Sequence, residues 1–305
     1  MSFVEQERAL FDLLFDSSLR CRFIDQASSA LKSYQLSPAE LADFDSIRPD
    51  GLALDATLRS EQILVHFCRQ LPVSFSLVSA VPGGISLLQQ LINPAIMRSH
   101  PDQRVSQFGA ELRSQLANLH FPSATSLELA TTVIDVELAV AWTGAALKQQ
   151  LLRNPPTENP ERSVDGDWLK HPVKLADYVG VALLPLPYST LKIALCPVDD
   201  PRLWIHLLQN PTQSKLVDKL LNQTSPTLFL SRAKSGHVSR CEARVNHQTI
   251  ELNEGFAALL QQLDGSSSVE QILQQLTEIG ATDPVLKSIR TGFQKLLESG
   301  MIETA

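Results

Sequence analysis

The chain has 305 residues, 44% of them hydrophobic and 19% charged, with 26 Lys and Arg against 33 Asp and Glu for a formal net charge of −7. That length and apolar content suffice for two or three packed domains and exclude wholesale disorder. The negative balance argues against broad binding to nucleic acid or anionic membranes.

The first half reads as helical almost throughout. "FVEQERALFDLLFD" has apolar residues at helical spacing. Glu5, Glu7 and Asp12 interrupt its apolar stretch, unlike a secretory signal, and no apolar run is read as approaching the roughly 20 residues of a membrane helix. A cytoplasmic location with no membrane partner is therefore expected. Asp16 is placed to cap a second helix, and "LSPAE" offers Ser37 as a cap, Pro38 in the first helical position and Glu40 at the third. "LDATLRSEQILVHFCRQL" predicts a longer helix ended by Pro72. "VPGGISLLQQLI" and "RVSQFGAELRSQLANL" predict two more. "ATSLELATTVIDVELAVAWTGAALKQQLL" is apolar on most faces and is expected to be the central helix of this half.

At "RNPPTENPERSVDGDWLK" the composition changes. Three prolines among polar residues read as a linker, and a domain boundary is expected there. Beyond it, "DYVGVALLPLP" and "LKIALCPV" read as strands, "DPRLWIHLLQN" and "QSKLVDKLLNQ" as helices. "TLFLSRA", "SRCEARVN" and "QTIELN" read as three more strands, with a tight turn around Asn246-His247 between the last two.

The last stretch has the strongest local signals. Asn253 can accept a hydrogen bond from the free N–H groups opening a helix at "NEGFAALLQQL". Asp264-Gly265 stops that helix, because glycine takes the left-handed cap without steric cost. The Ser266–Ser268 run caps the next, with Glu270 near its positive end. "LKSIRTGFQKLLESGMIE" supplies a third helix closing on a glycine. Leu259, Leu260, Leu263, Ile272, Leu273, Leu276, Ile289, Phe293, Leu296 and Leu297 recur at helical spacing and are expected to form a small core. Strands followed by three such helices are the order of a winged helix-turn-helix.

Residues with chemistry of their own are few. Cys21, Cys68, Cys196 and Cys241 contain no CxxC pair, which suits buried thiols better than a disulfide framework or zinc site. None of the seven histidines stands in a metal-ligating pattern. His66 and Cys68, two positions apart, face different sides of a helix. Asp135 and Glu137 inside an apolar helix read as structural carboxylates, or as an acid/base pair if burial raises one pKa. "VPGGISLL" reads as a turn into a helix, or as an anion site at its positive end.

"TIELNEGFAALLQQLDGSSSVEQILQQL", with "LKSIRTGFQKLLESGMIE", resembles the peptide-chaperone PqqD and the precursor-recognition domains of pathways that modify ribosomally made peptides. The shared features fall on Asp264-Gly265, Ser268-Val269 and Phe293 to Ile302. That resemblance implies that a leader peptide adds as a strand beside "QTIEL" (248–252), against the third helix. Carried onto this chain, the contact residues are Thr249, Glu251, Lys287, Arg290 and Gln294. Winged DNA-binding domains share the topology, but residues 226–305 hold seven Lys and Arg against nine Asp and Glu. A duplex-reading surface needs a denser basic footprint.

"LFDSSLRCRFIDQASSALKSYQLSPAELADFDSI" is similar to the helical subunit of extradiol dioxygenases. It also resembles the partner subunits of multinuclear non-heme iron oxidative enzymes of methanobactin-type pathways. The resemblance implies a heterodimer in which the partner holds the iron and this chain holds no cofactor. The expectation is an α+β chain: a helical domain over 1–153, a linker over 154–170, a small α/β segment over 171–225 and a winged recognition domain over 226–305. It would bind a precursor peptide and present it to a separate iron-dependent enzyme. The alternatives are a winged-helix transcriptional regulator and an accessory subunit of a ring-cleaving dioxygenase.

Overall fold

The computed structural model describes residues 3–154, 168–223, 225–238 and 243–305. Helices α1 (Phe3–Phe15), α2 (Ser17–Asp25), α3 (Ala27–Ala30), α4 (Pro38–Asp45) and α5 (Pro49–Gln70) open the chain. Next come α6 (Pro72–Ser79), α7 (Gly84–Gln90), α8 (Pro94–Arg98), α9 (Pro101–Gln115) and the long α10 (Ala124–Arg153). Strands β1 (Pro172–Leu175) and β2 (Val179–Leu184) precede helices α11 (Tyr188–Leu195), α12 (Asp200–Gln209) and α13 (Ser214–Leu221). Strands β3 (Thr227–Val238) and β4 (Ala243–Asn253) lead into α14 (Phe256–Leu260), β5 (Asp264–Ser268), α15 (Val269–Glu278), α16 (Asp283–Glu298) and β6 (Ile302–Thr304). The class is mixed α+β, with two three-stranded antiparallel sheets ordered β5-β1-β6 and β2-β3-β4.

The helix starts have the predicted chemistry. The Asp16 carboxylate accepts from Leu19 N at 2.9 Å. Ser37 and Glu40 close a reciprocal capping box with Pro38 in the first turn. Ser268 does the same for α15 with Gln271. Such a cap contributes about 1 kcal/mol. Gly300 stops α16 at φ +71°. There Gly300 N donates to Leu297 O and Met301 N to Leu296 O, the paired closure that an uncapped helix end requires.

Chain contacts divide the protein into two compact units, residues 1–122 with 196–213, and residues 123–195 with 214–305. Neither follows the boundaries expected from sequence. In the first unit, Phe108 stacks on Phe75 at a centroid distance of 5.7 Å and meets Phe67 in a tilted pair at 4.8 Å. Trp204 of α12 meets Phe75 edge-on at 5.6 Å and donates its indole N–H to Glu61. Within this unit Leu13, Leu19, Phe23, Leu31, Phe44 and Leu52 form a further apolar cluster.

The second unit has three layers, with the sheet β2-β3-β4 in the middle. Alternation sends Leu228, Leu230, Ile250 and Leu252 to one face, where they join Phe256, Ile272, Phe293 and Leu296 of the last helices. The other face carries α10. Its Leu147 and Leu151 pack on Ala233 and Ala243, and Gly144 lies so close that a Cβ there would sit 2.7 Å from His247 Nε2.

Several expectations need correction. By length and hydropathy α10 does pass as a membrane-crossing helix, contrary to the reading above. Here it packs along the sheet, so it is not the centre of an N-terminal helical domain. "LKIALCPV" forms most of α11, whose buried Leu191 and Leu195 stand at helical spacing. The strands expected from "SRCEARVN" and "QTIELN" are one strand, β4, and Asn246-His247 lies within it, paired with Lys234 and Ala233. Most of the expected linker and Cys241 lie outside the described residues.

Candidate functional site

Strand β4 is the last strand of its sheet, with β3 on one side and no strand on the other among the described residues. Such an edge presents a row of main-chain N–H and C=O groups without ladder partners. Beside its C-terminal end lies a cleft of about 520 Å³. One wall is Glu251, Leu252 and Asn253 of β4, Phe256 of α14 lies next to it, and α16 forms the opposite wall.

The α16 wall is two rows of side chains at i,i+4 spacing. Pro284, Ser288 and Gly292 form one, and Lys287, Thr291 and Lys295 the other. Residues at this spacing stack one above another along a helix, so each row is continuous. Gly292 is a packing requirement. A Cβ there would sit 2.0 Å from Phe256 Cζ, and the Phe256 ring is held edge-on against Phe293 at 5.8 Å. Phe293 and Leu296 of α16 are both fully buried in the core beneath it, which fixes the helix on the sheet.

The structure brings some of the expected contact residues to this cleft and not others. Lys287 lines it, exposed, and Glu251 contributes to the β4 wall. The Glu251 carboxylate, however, accepts from Ser189 N at 2.8 Å and Ser189 Oγ at 2.5 Å. Thr249, two residues back on the same face, pairs with Ser231 of β3. It is exposed and does not line the cleft. Arg290 and Gln294 each sit two positions from Gly292, hence about 160° round the helix from it, and neither lines the cleft. Gln294 instead donates to Glu298 at 2.8 Å. Lys295, Ser288, Thr291 and Gly292 line the cleft and are not among the residues expected from the sequence. The signal for them was the repeat at 284, 288, 292 and 287, 291, 295, legible beside the core positions Phe293 and Leu296.

Glu251, Lys287 and Lys295 are the charged residues lining the cleft. The hydrogen bonds from Ser189 hold the Glu251 carboxylate in place without removing its charge, so the lining carries two positive charges and one negative. Neither lysine has a carboxylate partner among the described residues.

Other candidates resolve structurally. Cys68 is buried while His66 is exposed on the same helix. Asp135 is exposed, whereas Glu137 is buried and accepts from Tyr188 Oη at 2.6 Å. The glycines of "VPGG" make a turn. Gly83 has φ +82° and a Cβ on Gly84 would collide with Val78 O at 1.9 Å. Comparison with protein-family models, curated proteins and solved structures finds no match to the chain.

Proposed function

We propose that this chain binds an extended peptide segment, the leader of a ribosomally made precursor, by adding it as a strand to β4 in the cleft against α16. The observation that carries the reading is the combination of an open strand edge with a helical wall beside it. Main-chain hydrogen bonds along β4 would supply affinity for any polypeptide, and the side chains of α16 would supply selectivity. In support, β2, β3 and β4 lie side by side in one sheet and α14, α15 and α16 follow β4 in the chain, although α11, α12 and α13 intervene between β2 and β3 and β5 between α14 and α15. In this reading the chain is a non-catalytic partner, and delivery to a separate iron-dependent oxidative enzyme rests on the resemblance of residues 14–47 alone.

The test is titration of the full chain with labelled leader segments of short peptides encoded beside its gene. Proline at Thr249 and, separately, at Gln248 distinguishes the two sides of β4, because neighbouring N–H groups point in opposite directions. One substitution should keep the fold and weaken binding about tenfold by removing an outward donor. The other should lower the melting temperature by breaking the ladder to β3. Binding that is indifferent to both, or tight salt-sensitive binding to duplex DNA with none to peptides, would favour a regulator instead. Co-purification from the native host with metal analysis tests the iron-enzyme partner.

A further inference from the structure

The two lysines of the cleft specify more than a general attraction for peptides. Lys287 and Lys295 are eight positions apart on α16 with Thr291 midway, which places their stems about 12 Å apart along the axis. An extended chain following this wall advances about 3.3 Å per residue and shows the same side only at every second residue. The even spacing that matches 12 Å is four residues, at about 13 Å. Spacings of two or six residues fall about 5 Å short or 8 Å long.

We infer that the cleft selects acidic peptides carrying two carboxylates four residues apart on one side of an extended strand, one opposite Lys287 and the other opposite Lys295. Between them the strand would lie over Thr291, beside the low row of Pro284, Ser288 and Gly292, where bulk on the helix is least. This specificity rests on the strand-addition reading. An extended polypeptide is favoured over nucleic acid as the occupant because the alternating N–H and C=O groups of the β4 edge match the repeat of a peptide main chain. Two ammonium groups on a chain of net charge −7 are also a small footprint for a phosphate backbone. The lysines stand out because the chain as a whole repels acidic ligands, so this cleft is a local exception to its charge.

The experiment uses the full chain and a set of fluorescein-labelled Thr/Val/Ser peptides that are identical except for two glutamates at spacing two, four or six, or two glutamines or two lysines at spacing four. Fluorescence anisotropy should show the four-spaced glutamate peptide binding about tenfold tighter than the glutamine peptide, as two solvent-facing ion pairs provide, and about threefold tighter than the two- and six-spaced glutamate peptides, which keep one pair. The advantage should shrink in high salt. Lys287→Gln and Lys295→Gln should each cut the preference over the glutamine peptide to about threefold, and the double reversal Lys287→Glu/Lys295→Glu should transfer preference to the lysine peptide. Circular dichroism checks that these exposed substitutions leave the fold intact. Equal binding of all peptides, still sensitive to one β4 proline, would overturn the acidic specificity and leave strand addition standing. Binding indifferent to the prolines, binding outcompeted by oligonucleotides, or no binding would overturn both.

Discussion

Tyr34 shows how single groups hold the first unit. Its hydroxyl donates to Asp12 Oδ2 at 2.8 Å, and Arg98 pairs with the other oxygen of that carboxylate. Arg98 also sits over the Phe11 ring at 5.7 Å and Arg8 over the Tyr34 ring at 5.8 Å. Burial, then the bond to Asp12, pushes the Tyr34 phenol up to about 12. Because the folded value lies above the unfolded value of about 10, the group's contribution is whole below pH 10 and is lost as pH rises towards 12. Tyr34→Phe should therefore cost about 1 kcal/mol at neutral pH and flatten the fall in stability between pH 10 and 12, as denaturant melts across that range would show. An unchanged alkaline profile would remove Tyr34 from the explanation. At this scale the sequence was readable where the chemistry is local: Asp16, Ser37 and Ser268 are caps because their partners lie three residues away. The Tyr34–Asp12 bond spans 22 positions, and no pattern announces it.

At the scale of elements, the α16–α14 contact decides whether the cleft exists. Gly292→Ala should gain up to about 1 kcal/mol in helix propensity. It would also drive a methyl into the Phe256 ring, an overpacking that costs about 1–3 kcal/mol. The clash involves three ring atoms at 2.0–2.9 Å, so overpacking should win. The melting temperature should fall, and peptide affinity should fall with it as the ring moves within the cleft. A stabilised variant with unchanged affinity would mean that Phe256 rotates away freely. Which elements were legible follows from length and period. The strong amphipathic helices α15 and α16 were readable from their 3.6-residue period, and their core leucines pack as expected. "LKIALCPV" was not, because a short apolar run fits a buried strand as well as one face of a two-turn helix. The β3–β4 hairpin was divided wrongly because "VNHQ" has turn-like composition, while the ladder from Thr227 to Ser235 carries the strand through it.

On the scale of the whole molecule, sequence order concealed the division into units. Helix α12 returns to the first unit after the chain has entered the second, placing Trp204 on Phe75. Nothing in its amphipathic pattern says which core that tryptophan fills. Helix α10 was misplaced for a related reason: an apolar helix can be buried by helices or by a sheet, and only the paired strands reveal which. The cleft was partly legible. Resemblance pointed to β4 and α16, but it took the three-dimensional phase of α16 to exchange Arg290 and Gln294 for the Lys287–Thr291–Lys295 row. Strand addition to β4 is tested most directly by amide hydrogen exchange across β4, with and without saturating four-spaced glutamate peptide. Alternate amides between Gln248 and Leu252 should exchange freely in the unbound protein and become protected on binding, while their neighbours, already bonded to β3, change little. Peptide bound with every β4 amide unchanged, and protection appearing elsewhere on the protein, would contradict strand addition.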